Sequence, residues 1–460
     1  MLTIDRNRRG SGVVINTIQS QNKTPLEIVV GVDAGSTQTR VCLADARDAK
    51  LLMAETPDRD TYEHLKNDVY VIPSTFAIVG DEREIKPNSD NIEDNYDSHV
   101  ILLRNGAVNP LIGSERIVRG QKISDTSGLV ARYLDSSTNK MDNSIFYLNV
   151  LDGIGYALLE KYSGHIPTDV VVHLVLSVRP KELNSHCTTK MDANLKGDFV
   201  FRWKDLTINI TIRSTVYTTE PEAQIGGTTA IMDVAASLGD AQAKELSDKF
   251  LESDSYIHIE GGGSSIGVEV VKNGNLVDAC SSTFQLGGNY LTRVIIDRLR
   301  EVKGRPVSEE SVRAAIKTCL LKNGREREDI STVVASCKNQ VGLDILEKLR
   351  HEVIDITHDL SLRDMDFVTL GGRLFQTDDA GASIGHYFAE YLKQISPNTE
   401  VIVLDANYIP QGNLIIGLNE WDLNDQIDLN DQIDLSSGSA SAPIPMTESV
   451  SEDSCGNQSE

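Results

Sequence analysis

The sequence predicts an α/β protein of two similar lobes facing a cleft, followed by a disordered acidic tail. Three observations predict it. Apolar, β-branched runs break at glycine turns and resume as strands at 26–45 (LEIVVGVDAGSTQTRVCLAD) and again at 255–271 (SYIHIEGGGSSIGVEVV). Segments with helical apolar spacing alternate with such runs. From residue 420 the chain carries ten Asp/Glu and no Lys or Arg, a composition that cannot bury enough apolar area to order itself.

The 460 residues are 40% apolar and 24% charged, enough for a sizeable core. The 44 basic and 68 acidic residues give a net charge of −24. That argues against direct nucleic-acid binding, which needs clustered Lys/Arg. It leaves room for a nucleotide site, where backbone N–H groups and a metal handle the phosphates. Six scattered cysteines (Cys42, Cys187, Cys280, Cys319, Cys337, Cys455) form no C-x-x-C pair, which points to a reducing, cytoplasmic compartment. No signal peptide and no membrane span are expected, since no run reaches ~18 apolar residues.

Residues 1–26, with Arg6, Arg8 and Arg9, read as a flexible extension. Strands are expected from Leu26 and again over 41–45, and VYVIPSTFAIV (69–79) reads as one further strand. The acidic stretch 81–100 reads as a surface loop and 141–162 as a helix. The unbroken apolar run 170–178 suits a strand buried on both faces. Residues 198–219 alternate like paired strands, and 223–238 read as a helix. A helix over 291–302 places Leu291, Ile295, Leu299 and Val302 on one face, and 384–392 does the same with Ile384, Phe388 and Leu392. The tail contains LNDQID in tandem at 423–428 and 429–434. The expected division is lobe I over 27–175, lobe II over 176–372, a return to lobe I over 373–419, and the disordered tail over 420–460.

Four constellations carry chemistry. In the first, Asp33 ends a strand and Gly35 permits a tight turn whose N–H groups can cradle phosphate, with Ser36, Thr37, Gln38 and Arg40 adding donors. In the second, Glu260 precedes Gly261, Gly262, Gly263, Ser264 and Ser265, three glycines that are costly in a hairpin unless backbone must approach something closely. In the third, Gly371, Gly372 and Arg373 follow a strand, where a flat ring could lie against backbone. In the fourth, Glu220-Pro221-Glu222 opens a helix, where a carboxylate either orients water or simply favours the helix N-terminus.

The order and spacing of these motifs resemble the actin-like ATPase superfamily (the actin/MreB/DnaK ribonuclease-H-like fold). VVGVDAGSTQTR is similar to its first phosphate loop, with Arg40 where actin-type proteins often carry Lys. IPS (72–74) resembles the short element after that loop, and IHIEGGGSSIG the second phosphate loop. FQLGGNYLTRVIIDRL, with Gly287 and Gly288, resembles the segment opening a nucleotide-contacting helix. DFVTLGGRLF resembles the adenosine loop, and DANYIPQGNLIIGL (405–418) the closing element of the first lobe. P-E-x-x-x-x-G from Pro221 to Gly227 is most similar to ParM, the plasmid-segregating bacterial actin.

The resemblance implies an ATPase binding ATP, with GTP left open, and Mg²⁺ held through water by Asp33 and Glu260. It implies Glu222 as the water-orienting carboxylate, Glu220 being the choice in an MreB-like register. It implies head-to-tail filaments that segregate plasmid DNA through a DNA-binding adaptor. A small-molecule kinase or phosphatase of the same superfamily, and a pseudo-ATPase scaffold, are the alternatives. The scaffold is kept by two departures: Glu260 stands where Asp is usual, and Gly267 where a further Asp is common.

Overall fold

Valine and isoleucine runs build two sheets, and the same pairing pattern sits at the heart of each. The computed structural model describes residues 25–79, 97–103, 114–119, 130–132, 134, 139–163, 165–203, 206–277, 280–304, 306–323, 326–355, 361–376, 382–404 and 408–421. The expected N-terminal extension up to residue 24, most of the expected loop at 81–100, Cys455 and the tail beyond Trp421 lie outside these residues.

The first sheet comprises β1 (Leu26–Ala34), β2 (Gln38–Ala44), β3 (Tyr70–Pro73), β4 (Phe76–Val79), β5 (Asp97–Leu103), β6 (Ser114–Arg119), β7 (Asp169–Val178), β8 (Gly197–Trp203) and β9 (Leu206–Thr219). Its order is β3-β2-β1-β7-β9-β8-β5-β6-β4. The second comprises β10 (Tyr256–Gly261), β11 (Ile266–Lys272), β12 (Asn275–Leu276) and β13 (Ser282–Phe284). After a separate hairpin of β14 (Leu320–Asn323) and β15 (Glu326–Asp329), it is completed by β16 (Phe367–Gly371) and β17 (Glu400–Val403). Its order is β12-β11-β10-β16-β17, with β13 beside β11. In both sheets a strand pairs antiparallel with the next one and parallel with a later one, which pairs parallel with a third: β1 with β2, β7 and β9, and β10 with β11, β16 and β17.

Each sheet buries its own core. In the first lobe the helix Ser144–Lys161 packs its apolar residues with those of β1, β7, β8 and β9. In the second, the helices Gly288–Lys303, Ser331–Leu349 and Ile384–Ile395 pack with β10, β11 and β16. Leu291, Ile295, Leu299, Ile384, Phe388 and Leu392 are buried as the periodicity predicts, whereas Val302, in the last turn of its helix, is exposed. The five described cysteines are buried and form no disulfide with one another. Among the described residues no helix is long and apolar enough to cross a membrane.

The structure corrects three expectations. VYVIPSTFAIV is two strands, β3 and β4, at opposite edges of the first sheet, because Ser74 leaves the ladder to bond the β1–β2 turn. The expected loop at 81–100 ends in strand: β5 begins at Asp97. The first sheet does not end at residue 175, since β8 and β9 extend it to Thr219. Likewise β17 and the helix Ile384–Ile395 stay with the second core, so only the helix Ile409–Glu420 comes back to β1. Periodicity reports which residues are buried, not which strand lies alongside.

Two helices and β1 meet backbone to backbone. A Cβ on Gly412 would lie 1.8 Å from the Ala223 carbonyl oxygen, and one on Gly227 would lie 2.1 Å from that of Tyr408. A Cβ on Gly31 would lie 2.4 Å from the Pro410 carbonyl oxygen. The helix Glu220–Ser237 is thereby pressed onto the helix Ile409–Glu420, and that helix onto the first sheet. Gly412→Ala should therefore destabilise the protein by about 1–3 kcal/mol or more through overpacking. Gly226→Ala, one residue before Gly227 with nothing within 4 Å of the added methyl, should instead gain up to about 1 kcal/mol of helix propensity. Urea unfolding of the two variants checks both signs.

Candidate functional site

The two hairpin turns close in the same way. Gly35 N–H donates to the Gln38 carbonyl at 3.1 Å, and Gly262 N–H donates to the Ser265 carbonyl at 2.9 Å. Two residues before each glycine a carboxylate ends the strand: Asp33 in β1 and Glu260 in β10. Across the hairpin Asp33 faces Arg40, and Glu260 faces Gly267. A side chain at 267 would be a tight fit, since an added Cβ would sit 3.2 Å from Pro221 and 3.6 Å from Pro180. The helix start that carries Glu220 thus packs directly against that position.

The turns meet tip to tip. A Cβ on Gly263 would lie 2.6 Å from Ser36 Oγ and 3.1 Å from Thr37. Ser74 Oγ donates to the Gly35 carbonyl at 2.6 Å and lies 3.0 Å from Thr39 Oγ1, pinning the first turn. The second is pinned by Gly288 N–H on the Gly262 carbonyl at 3.1 Å and Asn289 N–H on that of Gly263 at 2.7 Å. Leu374 N–H donates to the Gly261 carbonyl at 3.1 Å.

Under these turns lies a cleft of about 520 Å³, within the size range of small-molecule sites. Of the residues singled out by sequence, Asp33, Gly35, Ser36, Thr37, Gln38, Arg40, Glu220, Glu260, Gly261, Gly262, Gly263, Ser264, Ser265, Gly288 and Arg373 line it. Gly287, Gly371 and Gly372 support it from behind. Gly287 abuts Ser264 and Ser265, Gly371 abuts Gln224 and His258, and Gly372, at φ +84, abuts Glu260 Oε1.

Glu222 does not reach the cleft. It is exposed and accepts a hydrogen bond from Thr218 Oγ1. Thr219 caps the helix, which makes Glu220 its first residue and Glu222 its third. At ~100° per residue the two carboxylates leave on nearly opposite faces, so only one of them can face the site. The one that does is Glu220, held by Lys140 Nζ at 2.6 Å.

Sequence reasoning missed Lys140, which is buried and also donates to the Ser177 carbonyl at 3.3 Å. It lies in a polar stretch with no motif. Arg179, Arg313 and Lys338 line the same cleft from segments that carry no signature either.

The electrostatics are those of crowded carboxylates. Burial pushes the Asp33 carboxyl above the usual carboxylate range despite Arg40 at 3.3 Å, and Glu220 pushes it further. Burial raises Glu260 well above its ordinary value, and the negative charges of Glu220 and Asp33 add to that. Among the described residues no three His, Cys, Asp or Glu side chains stand close enough to hold a metal directly. The fit to Mg²⁺ is therefore through its water shell. It rests on these under-compensated carboxylates and on Ser36 Oγ, which is buried with no hydrogen-bond partner among the described residues. The paired glycine turns and a cleft of about 520 Å³ suit the phosphates of a nucleotide.

No protein-family model matches the chain, and no curated protein is similar to it in sequence. Solved structures are similar. An archaeal actin homologue aligns at 12% identity and a TM-score of 0.55, over 85% of this chain and 98% of its own. A non-polymerisable quadruple mutant of pCBH ParM aligns at 13% identity and a TM-score of 0.57, over 86% and 100%. Bacillus thuringiensis ParM with ATP aligns at 14% identity and a TM-score of 0.52, over 86% and 99%. At these identities the likeness shows the fold: the chain has the actin-like ATPase fold, shared with ParM-type proteins.

The Glu260 carboxyl is held high in the fold, so between its ordinary value and its folded one the native state keeps a proton that the unfolded chain has released. Stability must fall as pH rises through that window. Glu260→Gln should remove this slope. In urea unfolding without nucleotide, the variant should gain stability over the parent at pH 7.5 and gain less at pH 5.

Proposed function

We propose that this actin-like chain binds and hydrolyses Mg-ATP and assembles head to tail into filaments that move DNA through a DNA-binding adaptor in the cytoplasm. The observation that carries the proposal is the pair of equivalent hairpins, one from each lobe, meeting over a cleft that holds Asp33, Glu260 and Glu220. The polymerising behaviour is inferred from the fold neighbours, among them a ParM described by its non-polymerisable mutant and a ParM with ATP.

In this reading the turn amides around Gly35 and Gly262, with the Ser36 and Thr37 hydroxyls, bind the phosphates. Asp33 and Glu260 hold the water shell of Mg²⁺, which supplies charge neutralisation on the phosphate oxygens. Glu220 orients the attacking water. Its bond to Lys140 fixes its position, and the helix N-terminus favours a negative charge there. Catalysis is then mainly positioning and charge stabilisation. Each turn belongs to one lobe, so a triphosphate bridging the turns ties the lobes together, and its cleavage loosens them. Head-to-tail contacts between such subunits are heterologous and do not close, which gives filaments rather than rings.

With Mg-ATP the purified chain should raise light scattering and show filaments by electron microscopy, and ADP should support far less of either. Glu220→Gln should slow phosphate release by ~10²-fold or more while filaments still form and persist longer. Glu222→Ala should change the rate less than about twofold, as for a surface substitution. Parental hydrolysis by Glu220→Gln would refute the assignment of the water-orienting group, and absence of filaments with ATP would refute the assembly.

A further inference from the structure

One contact across the cleft joins the two lobes through charge. Gln38, the first residue of β2, accepts two hydrogen bonds on the same amide oxygen. Arg40 Nη2 donates to Gln38 Oε1 at 3.1 Å, and Arg373 Nη1 donates to it at 3.2 Å. Arg40 belongs to the first sheet and is also paired with Asp33 at 3.3 Å. Arg373 belongs to the second lobe. Its neighbours are fixed there by the Leu374 N–H bond to Gly261 and by the fully buried Phe375, while its own side chain is exposed and reaches across to the first turn.

Two guanidiniums converging on one neutral oxygen is a poor use of charge. Each is a fork of donors suited to a bidentate anion, and an amide oxygen offers neither the charge nor the second oxygen. Among the described residues no carboxylate pairs with Arg373. Both arginines line the cleft beside the first phosphate-binding turn. Their meeting point therefore has the chemistry of an anion site, with Gln38 Oε1 standing where an oxygen anion would be bound more strongly.

We propose that Arg40 and Arg373 together clamp the outermost phosphate of a nucleoside triphosphate, making Arg373 a sensor of that phosphate delivered from the opposite lobe. This rests on the nucleotide-binding reading above and deepens it. It also moves Arg373 away from the adenosine end of the site, where its loop alone would put it. The clamp gives closure a chemical cause. With the terminal phosphate present, two cations from two lobes share one dianionic group. Once it has left, they face each other over a neutral amide, and the closed arrangement loses that differential stabilisation.

The test is isothermal titration of the full chain, in Mg²⁺, with ADP and with a non-hydrolysable ATP analogue. Arg373→Ala should weaken the ATP analogue by about tenfold or more, as loss of a charge-assisted phosphate contact does, and ADP by less than about twofold. Arg373→Lys should recover part of the lost preference, since it restores the charge without the fork. Equal weakening of both nucleotides would place Arg373 at the base or ribose and overturn the clamp, as would an unchanged ratio. If the parent binds neither nucleotide, the nucleotide-binding reading falls and the clamp with it, an outcome distinct from a parent that binds both and a variant that keeps the ratio.

Discussion

The gathering of three carboxylates in one cleft, two of them buried and the third partly so, is the constraint on which the rest of the structure turns. Asp33, Glu220 and Glu260 come from the end of β1, the start of a helix and the end of β10, and the fold brings them together against their mutual repulsion. Burying charge without a partner is expensive. Asp33 is partly offset by Arg40, and Glu220 by Lys140 and its helix terminus. Glu260 forms no ion pair among the described residues, and burial holds its carboxyl well above its ordinary value. Where Asp is usual, the extra methylene of Glu260 lets its carboxyl reach beside Gly372, where backbone at φ +84 leaves no Cβ in the way.

That cluster can exist only because backbone approaches backbone elsewhere. The helix that presents Glu220 is seated by Gly227 and Gly412 on the helix Ile409–Glu420, which Gly31 lets settle on β1. The same helix touches the second lobe. Pro221 fills the space beside Gly267, and Gln224, which lies against Gly371, accepts from Tyr408 N–H at 3.1 Å. The carboxylate and the junction between lobes are thus one rigid element. Because that helix is seated backbone to backbone on the side of β1, a shift of the second lobe would carry Glu260 away from Asp33 and Glu220 together.

Much of this was legible in the sequence, and the rest was hidden for physical reasons. Both hairpins, with their carboxylates and glycines, stand out in the chain, since glycines clustered between β-branched runs weaken a strand unless backbone must come close to something there. The choice between Glu220 and Glu222 could not be read. A two-residue spacing on a helix means opposite faces, but spacing does not say which face meets the cleft, and the ParM-like register favoured Glu222, which does not line it. Lys140 was invisible because its role arises from a contact with Glu220 eighty positions away in the chain. The lobe boundary was misplaced because β9 alternates like a surface strand, although it runs parallel to β7 inside the first sheet. Val302 was assigned to a buried face by periodicity and is exposed because its helix projects beyond the core in the last turn.

The lower edge of the fold is set by packing rather than by composition. Acidic residues dominate from Glu420, yet the chain is still held at Trp421, whose ring lies 4.9 Å from that of His173. His173 is anchored on both ring nitrogens, at 2.6 Å from Ser214 Oγ and 2.6 Å from Glu27 Oε1, and Glu27 also receives Arg213 at 2.7 Å. The end of the described chain therefore lies beside the start of β1. Asp33 lies at the other end of that strand, ~20 Å away at ~3.3 Å per residue. This exceeds the ~8 Å screening length of physiological salt. The charges that meet at this end of β1, Glu27 and Arg213, are thus electrostatically separate from the carboxylates in the cleft.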